Sequence, residues 1–411
     1  MKNYKYLIIG GGTTAGYAAA EFVEQNIGQG ELCIISAETI LPMNRPPLSK
    51  EYLKDKSNDD ELLINDKQFY VNNGIEVMLK TTAKEVKFAE KKIVVDSGEE
   101  LGYEKLLIAT GSSVIHPGLE NENLDNVFYL RNVVHSDKIR EAAANAKNVV
   151  IIGGGYIGTE TAAILKEMGL QVSMVIPEDK LLAKFATPEI GEFFRNLFRE
   201  KGVDLYFNEE AKGFAGRGKV EKVEMRSGRD LPADLVVVGA GVKPNVSLFK
   251  DSNLNINTGI VVDEYCQTNI PDVFAAGDVV EFPDVVFDKI RHVEHWENAF
   301  EQGKHAARVM TENFERYNFL PFFFSDLFEY GYEFFGDSSD AITVLYRGDV
   351  KSGDFSAWWF DENRLHAAFI MSLRPEEEGK MAREWIQMKA PLDTDKFEDP
   401  DVKLDALVLN R

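Results

Sequence analysis

The stretch that decides the fold is Tyr6-Leu-Ile-Ile-Gly10-Gly-Gly12-Thr-Thr-Ala15-Gly16, and a counterpart follows at Val149-Val-Ile-Ile-Gly153-Gly-Gly155-Tyr-Ile-Gly158. In each copy an apolar, β-branched strand runs into a Gly-x-Gly-x-x-(Gly/Ala) turn, and residues with helical periodicity come next. One such turn alone is weak evidence for nucleotide binding. Two copies, each between a strand and a helix, predict two Rossmann-like dinucleotide-binding domains.

The residues of these glycine turns indicate how a pyrophosphate would bind. The first glycine permits the tight turn, the second lets the backbone approach the pyrophosphate, and the third position lets helix and strand pack closely. The pyrophosphate then lies at the N-terminus of the helix. The candidate contacts are Gly10, Gly12, Thr13, Thr14 and Ala15 in the first copy and Gly153, Gly155, Tyr156, Ile157 and Gly158 in the second.

A carboxylate ends the second strand of each unit. Glu38 follows Leu32-Cys-Ile-Ile-Ser-Ala and Glu178 follows Val172-Ser-Met-Val-Ile-Pro, each roughly 20 residues beyond the glycines. A carboxylate at this point accepts hydrogen bonds from ribose hydroxyls and repels a 2′-phosphate. Glu178 therefore favours NADH over NADPH, although the nearby Lys184 keeps NADPH as an alternative.

Composition and charge restrict the classes of function. The chain has 411 residues, enough for two or three domains, with 46 Lys and Arg against 68 Asp and Glu and a formal net charge of −22. This charge disfavours nucleic acid and anionic lipid as partners. No apolar run approaches the roughly 18 residues that a membrane span needs.

The two cysteines, Cys33 and Cys266, are too few for a disulfide framework or a cysteine-rich zinc site. They also lack the short spacing of a redox-active dithiol. We expect two buried thiols, no metal site and a cytoplasmic location.

A different pattern begins at about residue 320. Short alternating or aromatic segments are separated by Gly, Asp, Ser and Asn turns, which predicts an antiparallel sheet. The segments are Tyr332-Glu-Phe-Phe, Ala341-Ile-Thr-Val-Leu-Tyr, Phe355-Ser-Ala-Trp-Trp-Phe and Leu365-His-Ala-Ala-Phe-Ile. A helix is predicted from Pro375 to Trp385, and the acidic tail after Pro391 is expected either to dock or to stay partly mobile.

Further motifs connect these anchors. They are Pro42-Met-Asn-Arg45-Pro-Pro-Leu-Ser-Lys50, Leu106-Leu-Ile-Ala-Thr-Gly111, Val236-Val-Val-Gly-Ala-Gly241-Val-Lys-Pro-Asn245, Val273-Phe-Ala-Ala-Gly-Asp278 and Val293-Glu-His-Trp-Glu-Asn-Ala299. Together with the glycine turns, they resemble the FAD-dependent pyridine nucleotide-disulfide oxidoreductase superfamily over nearly the whole chain. The resemblance is greatest to the branch of ferredoxin reductases, monodehydroascorbate reductases and apoptosis-inducing-factor-type NADH oxidoreductases.

The resemblance implies an α/β fold with two Rossmann-like domains and a C-terminal α+β interface domain. The FAD-binding domain would comprise residues 1–112 and 246–320, and the NAD(H)-binding domain residues 113–245. Residues 321–411 would form the interface domain, which is compatible with a homodimer. The implied cofactors are FAD and NADH, with hydride passing from NADH to N5 of the flavin.

The resemblance also implies roles for individual residues. Asp278 would bind the ribityl chain of FAD, and Lys50 would lie near flavin N5, where a cation stabilises the anionic reduced ring. The implied catalytic set is Lys50, Glu294, His295 and Trp296. The remaining cofactor contacts are Arg45, Val86, Ala109, Thr110, Gly111, Arg131, Glu160, Gly241, Gly277 and Trp358.

The electron acceptor follows less directly from the sequence. Disulfide and peroxide reductases of the superfamily place cysteine beside the flavin, whereas Pro42, Met43 and Asn44 occupy that region here. The acceptor should therefore be a non-thiol compound. Several stretches look especially like monodehydroascorbate reductase, namely Gly10-Gly-Gly-Thr-Thr-Ala-Gly-Tyr-Ala-Ala, Met174-Val-Ile-Pro-Glu178 and Phe334-Phe-Gly-Asp337.

Three positions depart from the monodehydroascorbate reductase pattern. Phe300 stands where that family has an arginine for its anionic substrate, and a phenyl ring offers neither charge nor donors. Trp358 stands at a pocket tyrosine, and Asp326 stands where a basic residue is common. These departures put monodehydroascorbate in doubt as the substrate.

Three alternatives stay open. The acceptor could be a ferredoxin or rubredoxin, although the net charge opposes an acidic carrier. It could be a quinone, if Trp296, Phe300, Trp358 and Trp359 converge on the flavin as an aromatic mouth. Alternatively, the chain could act mainly as an NADH-dependent redox sensor or partner-binding protein with slow turnover.

Overall fold

A computed structural model describes residues 1–55 and 59–409. Contacts between Cα atoms divide the chain into two compact units. The first comprises residues 1–46, 57–113 and 242–321, and the second comprises residues 47–56, 114–241 and 322–411.

The first two thirds of the chain contain both helices and strands. Up to residue 114 they are β1 (Lys2–Ile9), α1 (Thr13–Glu24), β2 (Leu32–Ile35), α2 (Glu51–Lys54), α3 (Lys67–Asn72), β3 (Glu76–Met78), β4 (Ala83–Lys87), β5 (Lys92–Val95), β6 (Glu100–Ile108) and β7 (Ser112–Val114). The next are β8 (Val127–Tyr129), α4 (Val133–Ala143), β9 (Asn148–Ile152), α5 (Tyr156–Glu167), β10 (Gln171–Ile176), α6 (Pro188–Glu200), β11 (Asp204–Phe207), β12 (Ala211–Ala215), β13 (Lys222–Met225), β14 (Asp230–Pro232), β15 (Leu235–Val238) and β16 (Val242–Pro244).

The last third is rich in strands. Its elements are β17 (Ile260–Val261), β18 (Val273–Ala275), β19 (Val280–Asp284), β20 (Lys289–Arg291), α7 (Trp296–Met310), β21 (Phe322–Leu327), β22 (Tyr330–Gly336), β23 (Thr343–Asp349), β24 (Asp354–Asp361), β25 (Arg364–Met371) and α8 (Pro375–Met388). Short 3-10 turns at Thr394–Lys396 and Leu404–Leu407 complete the C-terminus.

The first unit is built on a twisted sheet in the order β3-β2-β1-β6-β5-β4, with β18 also pairing with β6. Strands β3, β2, β1, β6 and β18 pair with one another in parallel, whereas β5 pairs antiparallel with both β6 and β4. Residues Tyr6 to Ile9 of β1 are buried without alternation, as in a sheet that is covered on both faces. Ala18 and Ala19 of α1 and Ala306 and Ala307 of α7 belong to one buried cluster, because small side chains let the helices approach.

The second unit contains two five-stranded sheets, besides the three-stranded sheet β12-β13-β14. The parallel sheet has the order β11-β10-β9-β15-β8, and the antiparallel sheet has the order β21-β22-β25-β24-β23. Helix α8 packs on β25 and β22 of the antiparallel sheet. The two sheets are joined by an aromatic ladder, in which Phe185 after β10 lies between Tyr156 of α5 and the sheet residues Phe323, Phe334 and Phe369.

The predicted fold class is confirmed, including the C-terminal α+β portion. The predicted C-terminal strands form β22 to β25, and the predicted helix is α8. Strand β21 was not predicted, because its Phe322-Phe-Phe start carries no alternation of apolar and polar residues.

The tail after Pro391 docks on its own unit. Leu392, Phe397 and Leu407 are fully buried. Arg347 of β23 binds the tail, because its guanidinium donates hydrogen bonds to the carbonyl oxygens of Phe397, Asp399 and Val402 at 2.5 to 3.1 Å. Of the two expectations, docking is the one that the structure favours.

Both thiols are buried, as predicted. Cys33 and Cys266 are 0% and 1% exposed, and burial raises the pKa of Cys33 to about 12 and the pKa of Cys266 still further. Such thiols remain protonated and unreactive near neutral pH. Across residues 1–55 and 59–409, no helix is both long and apolar enough to cross a bilayer.

Candidate cofactor and electron-transfer site

The first glycine turn connects β1 to α1 in the first unit. Gly10 has φ +130°, and a Cβ built on it would lie 2.0 Å from the carbonyl oxygen of Ala109, so no other residue fits. Gly12 caps α1 without a side-chain hydrogen bond. The backbone N–H groups of the first helical turn therefore remain suited to phosphate oxygens.

Arg45 and Glu38, both predicted FAD contacts, lie beside this turn. A Cβ on Gly12 would have the guanidinium of Arg45 as its nearest neighbour, at 3.4 Å. The same guanidinium donates to Oε1 of Glu38 over 2.8 Å, and each side chain is only about one-fifth exposed. The turn thus combines helix N–H groups, a cation for phosphate and a carboxylate for ribose hydroxyls.

The loop that carries Asp278 comes close to the same turn. Gly277 has φ +82°, and a Cβ on it would lie 2.3 Å from Oγ1 of Thr14. The N–H of Gly277 donates to Oε1 of Gln302 on α7 over 2.9 Å. The half-buried Asp278 accepts a hydrogen bond from Oγ of Ser112 over 2.7 Å. Ser112 and Gln302 were not predicted, although Ser112 directly follows Thr110 and Gly111 of a quoted motif.

Other predicted FAD contacts surround the end of β6. Ala109 is buried, and Oγ1 of Thr110 donates to the carbonyl of Asn245 over 3.0 Å. Asn245 also donates its own backbone N–H to the carbonyl of Gly111. Val86 lies on β4, where it packs against the core of the first unit.

The Glu294, His295 and Trp296 motif begins α7, and His295 is the N-cap residue. Glu294 accepts a hydrogen bond from His292, whose Nε2 lies 3.1 Å from Oε1. Trp296 donates from Nε1 to Oδ1 of Asn44 over 3.1 Å. His292 was not predicted, although a residue two positions away in extended backbone lies on the same side of the chain as Glu294.

Trp296 belongs to an aromatic cluster, which we define as Tyr17, Trp296 and Phe300. The ring centroids of Tyr17 and Phe300 are 4.6 Å apart, and those of Trp296 and Phe300 are 5.3 Å apart. All three side chains are half-buried. The ammonium group of Lys304 lies 5.0 Å from the ring centroid of Phe300. This part of the predicted aromatic mouth is therefore brought together, beside the first glycine turn.

Trp358 was predicted as a pocket residue and cofactor contact, and this prediction was wrong. Its side chain is fully buried, its ring packs on Trp385 and Phe397, and its Nε1 donates to Oγ of Ser356. Trp359 is likewise buried, against Phe334. A ring covered by its own sheet and helix cannot line a mouth, so both belong to the core of the second unit.

The second glycine turn connects β9 to α5 in the second unit. Gly153 has φ +107°, and a Cβ on Gly158 would lie 2.3 Å from the carbonyl oxygen of Gly153, so helix and strand need this glycine to pack. Gly155 caps α5 without a side-chain hydrogen bond, and a Cβ on it would meet no atom within 4 Å. Tyr156 packs on Phe323 with ring centroids 4.5 Å apart.

The remaining predicted NADH contacts lie at the surface of the second unit. Glu178 and Lys184 are exposed, as are Ile157 and Gly241. Arg131, predicted as an FAD contact, is half-buried just after β8. The residues at both turns fit dinucleotides, since each turn offers a glycine cap, outward N–H groups and a following carboxylate.

Lys50 lies in a polar network of the second unit, in which Lys50 and Glu160 are buried and Asp326 is exposed. Its Nζ is 2.8 Å from Oδ2 of Asp326 and 3.8 Å from Oε1 of Glu160. Glu160 also accepts hydrogen bonds from the hydroxyls of Ser49 and Ser325, over 2.5 and 2.6 Å. Burial raises the pKa of Glu160, against the opposing influence of Lys50. Neither serine was predicted, although Ser49 lies next to Lys50 in a quoted motif; no motif marks Ser325.

Comparison with known proteins assigns the family. Residues 4–303 match the family model described as pyridine nucleotide-disulphide oxidoreductase, and residues 322–408 match the one described as reductase C-terminal. The chain belongs to the pyridine nucleotide-disulphide oxidoreductase family. The resemblance inferred from the sequence is thereby confirmed.

Relatives of known activity match along nearly their whole length. The chain is 37% identical over 409 residues to a monodehydroascorbate reductase of Pisum sativum, covering 93% of this chain and 94% of the relative. A ferredoxin reductase from Rhodopseudomonas palustris has a TM-score of 0.93 at 29% identity, covering 98% of this chain and 99% of that chain. A covalent complex of putidaredoxin reductase with putidaredoxin also gives 0.93, at 28% identity, covering 98% and 97%.

The chain is therefore a flavoprotein enzyme, an FAD-dependent NADH oxidoreductase of the family that uses FAD and NAD(P)H. When bound, FAD would supply the redox chemistry between the nicotinamide and an acceptor. The protein's own contribution is to bind and orient the two cofactors and to control access to the flavin.

Proposed function

We propose that this oxidoreductase reduces a small conjugated acceptor of the quinone or monodehydroascorbate kind. The proposal is carried by the aromatic cluster beside the first glycine turn, because half-buried aromatic faces suit a flat molecule. Lys304, over the ring of Phe300, adds a positive charge that suits an acceptor with delocalised negative charge. Lys304 thus supplies part of the positive charge that is missing because Phe300 stands in place of the arginine of monodehydroascorbate reductases.

For the cofactors, we propose FAD on the first glycine turn, with its ribityl chain at Asp278, and NADH on the second. Glu178 at the adenosine ribose would favour NADH over NADPH. The proposed catalytic set remains Lys50, Glu294, His295 and Trp296. In this set the aromatic and acidic side chains orient the rings for hydride transfer, which itself needs no acid.

A small redox protein is the second candidate acceptor. The fold similarity to a ferredoxin reductase and to a reductase captured with putidaredoxin favours a ferredoxin- or rubredoxin-type carrier. The net charge of −22 opposes it, because such carriers are commonly acidic and like charges slow encounter.

Anaerobic stopped-flow absorbance tests these proposals. The enzyme is first reduced with NADH or NADPH and then mixed with a naphthoquinone, monodehydroascorbate, ferredoxin or rubredoxin. We expect faster flavin bleaching by NADH and fastest reoxidation by one of the two small acceptors. Fastest reoxidation by an iron–sulfur protein would favour the second candidate, and slow reoxidation by all four would favour a redox sensor.

Two variants test the aromatic cluster directly. Trp296→Ala should slow flavin reoxidation by the small acceptor, because it removes one face of the cluster and the donor to Asn44. Phe314→Ala is the control, since Phe314 is an exposed phenylalanine of the same unit that lies outside the cluster. Equal reoxidation rates in both variants would contradict the proposed acceptor site.

We also propose the three-domain division with its boundaries at residues 112, 245 and 320. The residue ranges that make up the first unit support the boundaries of the FAD-binding domain, with one difference. Residues 47–56 group with the second unit, because Ser49 and Lys50 bind Glu160 and Asp326 there. A cytoplasmic location and a homodimer through the C-terminal domain are proposed on sequence grounds, and sedimentation analysis would test the dimer.

A further inference from the structure

His292 connects the start of α7 to the loop that follows Asp278. Its ring is half-buried, and each of its nitrogens has a partner. Nδ1 lies 2.9 Å from the carbonyl oxygen of Val280, and Nε2 lies 3.1 Å from Oε1 of Glu294. The side chain of Glu294 is about one-quarter exposed.

These two partners determine the charge of the ring. A backbone carbonyl accepts hydrogen bonds and never donates them, and the same is true of an ionised carboxylate. A neutral imidazole has one N–H and can satisfy only one of the two. The geometry therefore requires one additional proton, and it belongs on His292, because imidazole is the stronger base than carboxylate.

The other charged groups near His292 favour the same state. Asp278 adds a second, more distant negative charge. The adjacent cation, Arg291, turns away and donates to Oδ2 of Asp284 over 2.7 Å. The hydrogen bond to Glu294 is the main cause that raises the pKa of His292, and it outweighs the partial burial that would lower the pKa.

We propose that protonated His292 is a positioning residue of the flavin site, which holds the carboxylate of Glu294 in one orientation. The inference rests on the proposed function, because it takes Glu294 to face the cofactors. Loss of the proton leaves one N–H for two acceptors, so the ring can no longer bond the carbonyl of Val280 and the carboxylate of Glu294 at once, and the orientation of Glu294 is no longer fixed. The rate of flavin reduction by NADH should accordingly fall as the pH rises through the pKa of His292.

An NMR titration of the oxidised holoenzyme tests the charge without relying on turnover. The chain has six histidines, and the signal missing in His292→Gln identifies the ring of interest. We expect its pKa to lie above the ordinary value of about 6.5. In Glu294→Gln this pKa should fall, because the hydrogen bond to the negative partner is lost. An ordinary pKa that does not respond to Glu294→Gln would overturn the proposal.

The pH profile of the NADH half-reaction tests the consequence. We expect a decrease of roughly threefold to tenfold across the NMR pKa, the range that a single charge-assisted hydrogen bond spans. His292→Arg, which is always charged, should keep the fast rate at every measured pH. His292→Gln should show the slow rate throughout. If the rate of flavin reduction in His292→Arg still fell with pH as in the wild type, the positioning role of His292 would be contradicted.

His116→Gln provides the matched control. His116 also lies near a carboxylate, 3.9 Å from Glu122, but it is more than half exposed and belongs to the second unit. This variant should retain the wild-type pH step. If His292→Gln does not retain flavin, the pH profile of His292→Arg and the NMR titration of the wild-type enzyme still test the proposal. Absence of flavin reduction by NADH at any pH would instead overturn the proposed function.

Discussion

The two glycine turns share a sequence pattern but differ in their surroundings. The first is enclosed by its own unit, since a Cβ on Gly303 of α7 would lie 2.4 Å from the carbonyl oxygen of Thr14, and one on Gly16 would touch Ile64. In the second, a Cβ on Gly155 would meet nothing within 4 Å. An enclosed turn suits a cofactor that stays bound, and an open turn suits a nucleotide that exchanges in every cycle.

The carboxylates that follow the two turns also differ, since the first is paired within its own unit and the second is exposed to solvent. Glu38 shares its charge with Arg45, whereas Glu178 is exposed and has no Lys or Arg at ion-pair distance in the described part of the chain. A paired carboxylate contributes to a fixed site. An unpaired one retains its full charge to accept ribose hydroxyls and to repel a 2′-phosphate.

The largest expected effect comes from breaking the enclosed turn. Gly10→Ala should yield protein with little bound flavin and a lower Tm, because the new Cβ collides with Ala109 and the positive φ adds about 1–2 kcal/mol of strain. The ratio of absorbance at 450 and 280 nm measures the flavin. Gly30→Ala is the control, since Gly30 has φ +79° and open space around it. Equal flavin content in the two variants would contradict the enclosed site.

The open turn should respond differently to the same kind of change. Gly155→Ala should fold normally and retain FAD, because its methyl group meets no protein atom. It should raise the KM for NADH by about tenfold, since the methyl group stands where the pyrophosphate approaches. Gly12→Ala, at the equivalent position of the first turn, should instead reduce flavin content. If Gly155→Ala lost flavin and left the KM unchanged, the assignment of the two turns would be reversed.

A smaller effect is expected at the exposed carboxylate. Glu178→Gln should reduce the preference for NADH over NADPH in kcat/KM by roughly threefold to tenfold, because the repulsion of a 2′-phosphate is lost. Asp179→Asn removes the same charge one residue away and should leave the preference unchanged. A matching shift in both variants would mean that net charge, rather than contact with the ribose, sets the preference.

The smallest effect is expected at the paired carboxylate. Glu38→Gln should weaken FAD binding by about 0.5–1 kcal/mol, because the pair with Arg45 is partly exposed and screened by solvent. Flavin fluorescence on dilution measures the release. Glu24→Gln, on the exposed end of α1, should bind FAD like the wild type. A loss of FAD affinity above tenfold in Glu38→Gln would indicate that the carboxylate contributes mainly by contacting FAD directly, rather than through Arg45.

Features that depend on local backbone geometry could be predicted from the sequence. The turns at Gly10 and Gly153 have positive φ and contacts that exclude a side chain, so they leave a clear pattern in the sequence. Partners that meet only through tertiary folding leave no such pattern. Lys50 and Asp326 are 276 residues apart, and Ser325, which belongs to no motif, meets Glu160 from 165 residues away.

Aromatic residues illustrate the same limit. Trp296 and Trp358 are equally suited to a pocket by residue type, yet Trp296 lies half-buried in the aromatic cluster and Trp358 lies in the core. The burial of a strand residue depends on whether a second layer covers its face. For Trp358 that layer is α8 with Trp385 and the docked tail with Phe397, which the sequence pattern does not specify.

The aromatic ladder through Phe185 has a consequence for cooperativity. It joins Tyr156, at the start of the helix after the second glycine turn, to Phe323 and Phe369 of the C-terminal sheet. Local unfolding of either sheet would expose aromatic rings that pack on the other sheet. The free energy of unfolding one sheet therefore includes contacts made by the other. The two sheets should therefore behave as one foldon, and their amide protons should exchange with solvent together.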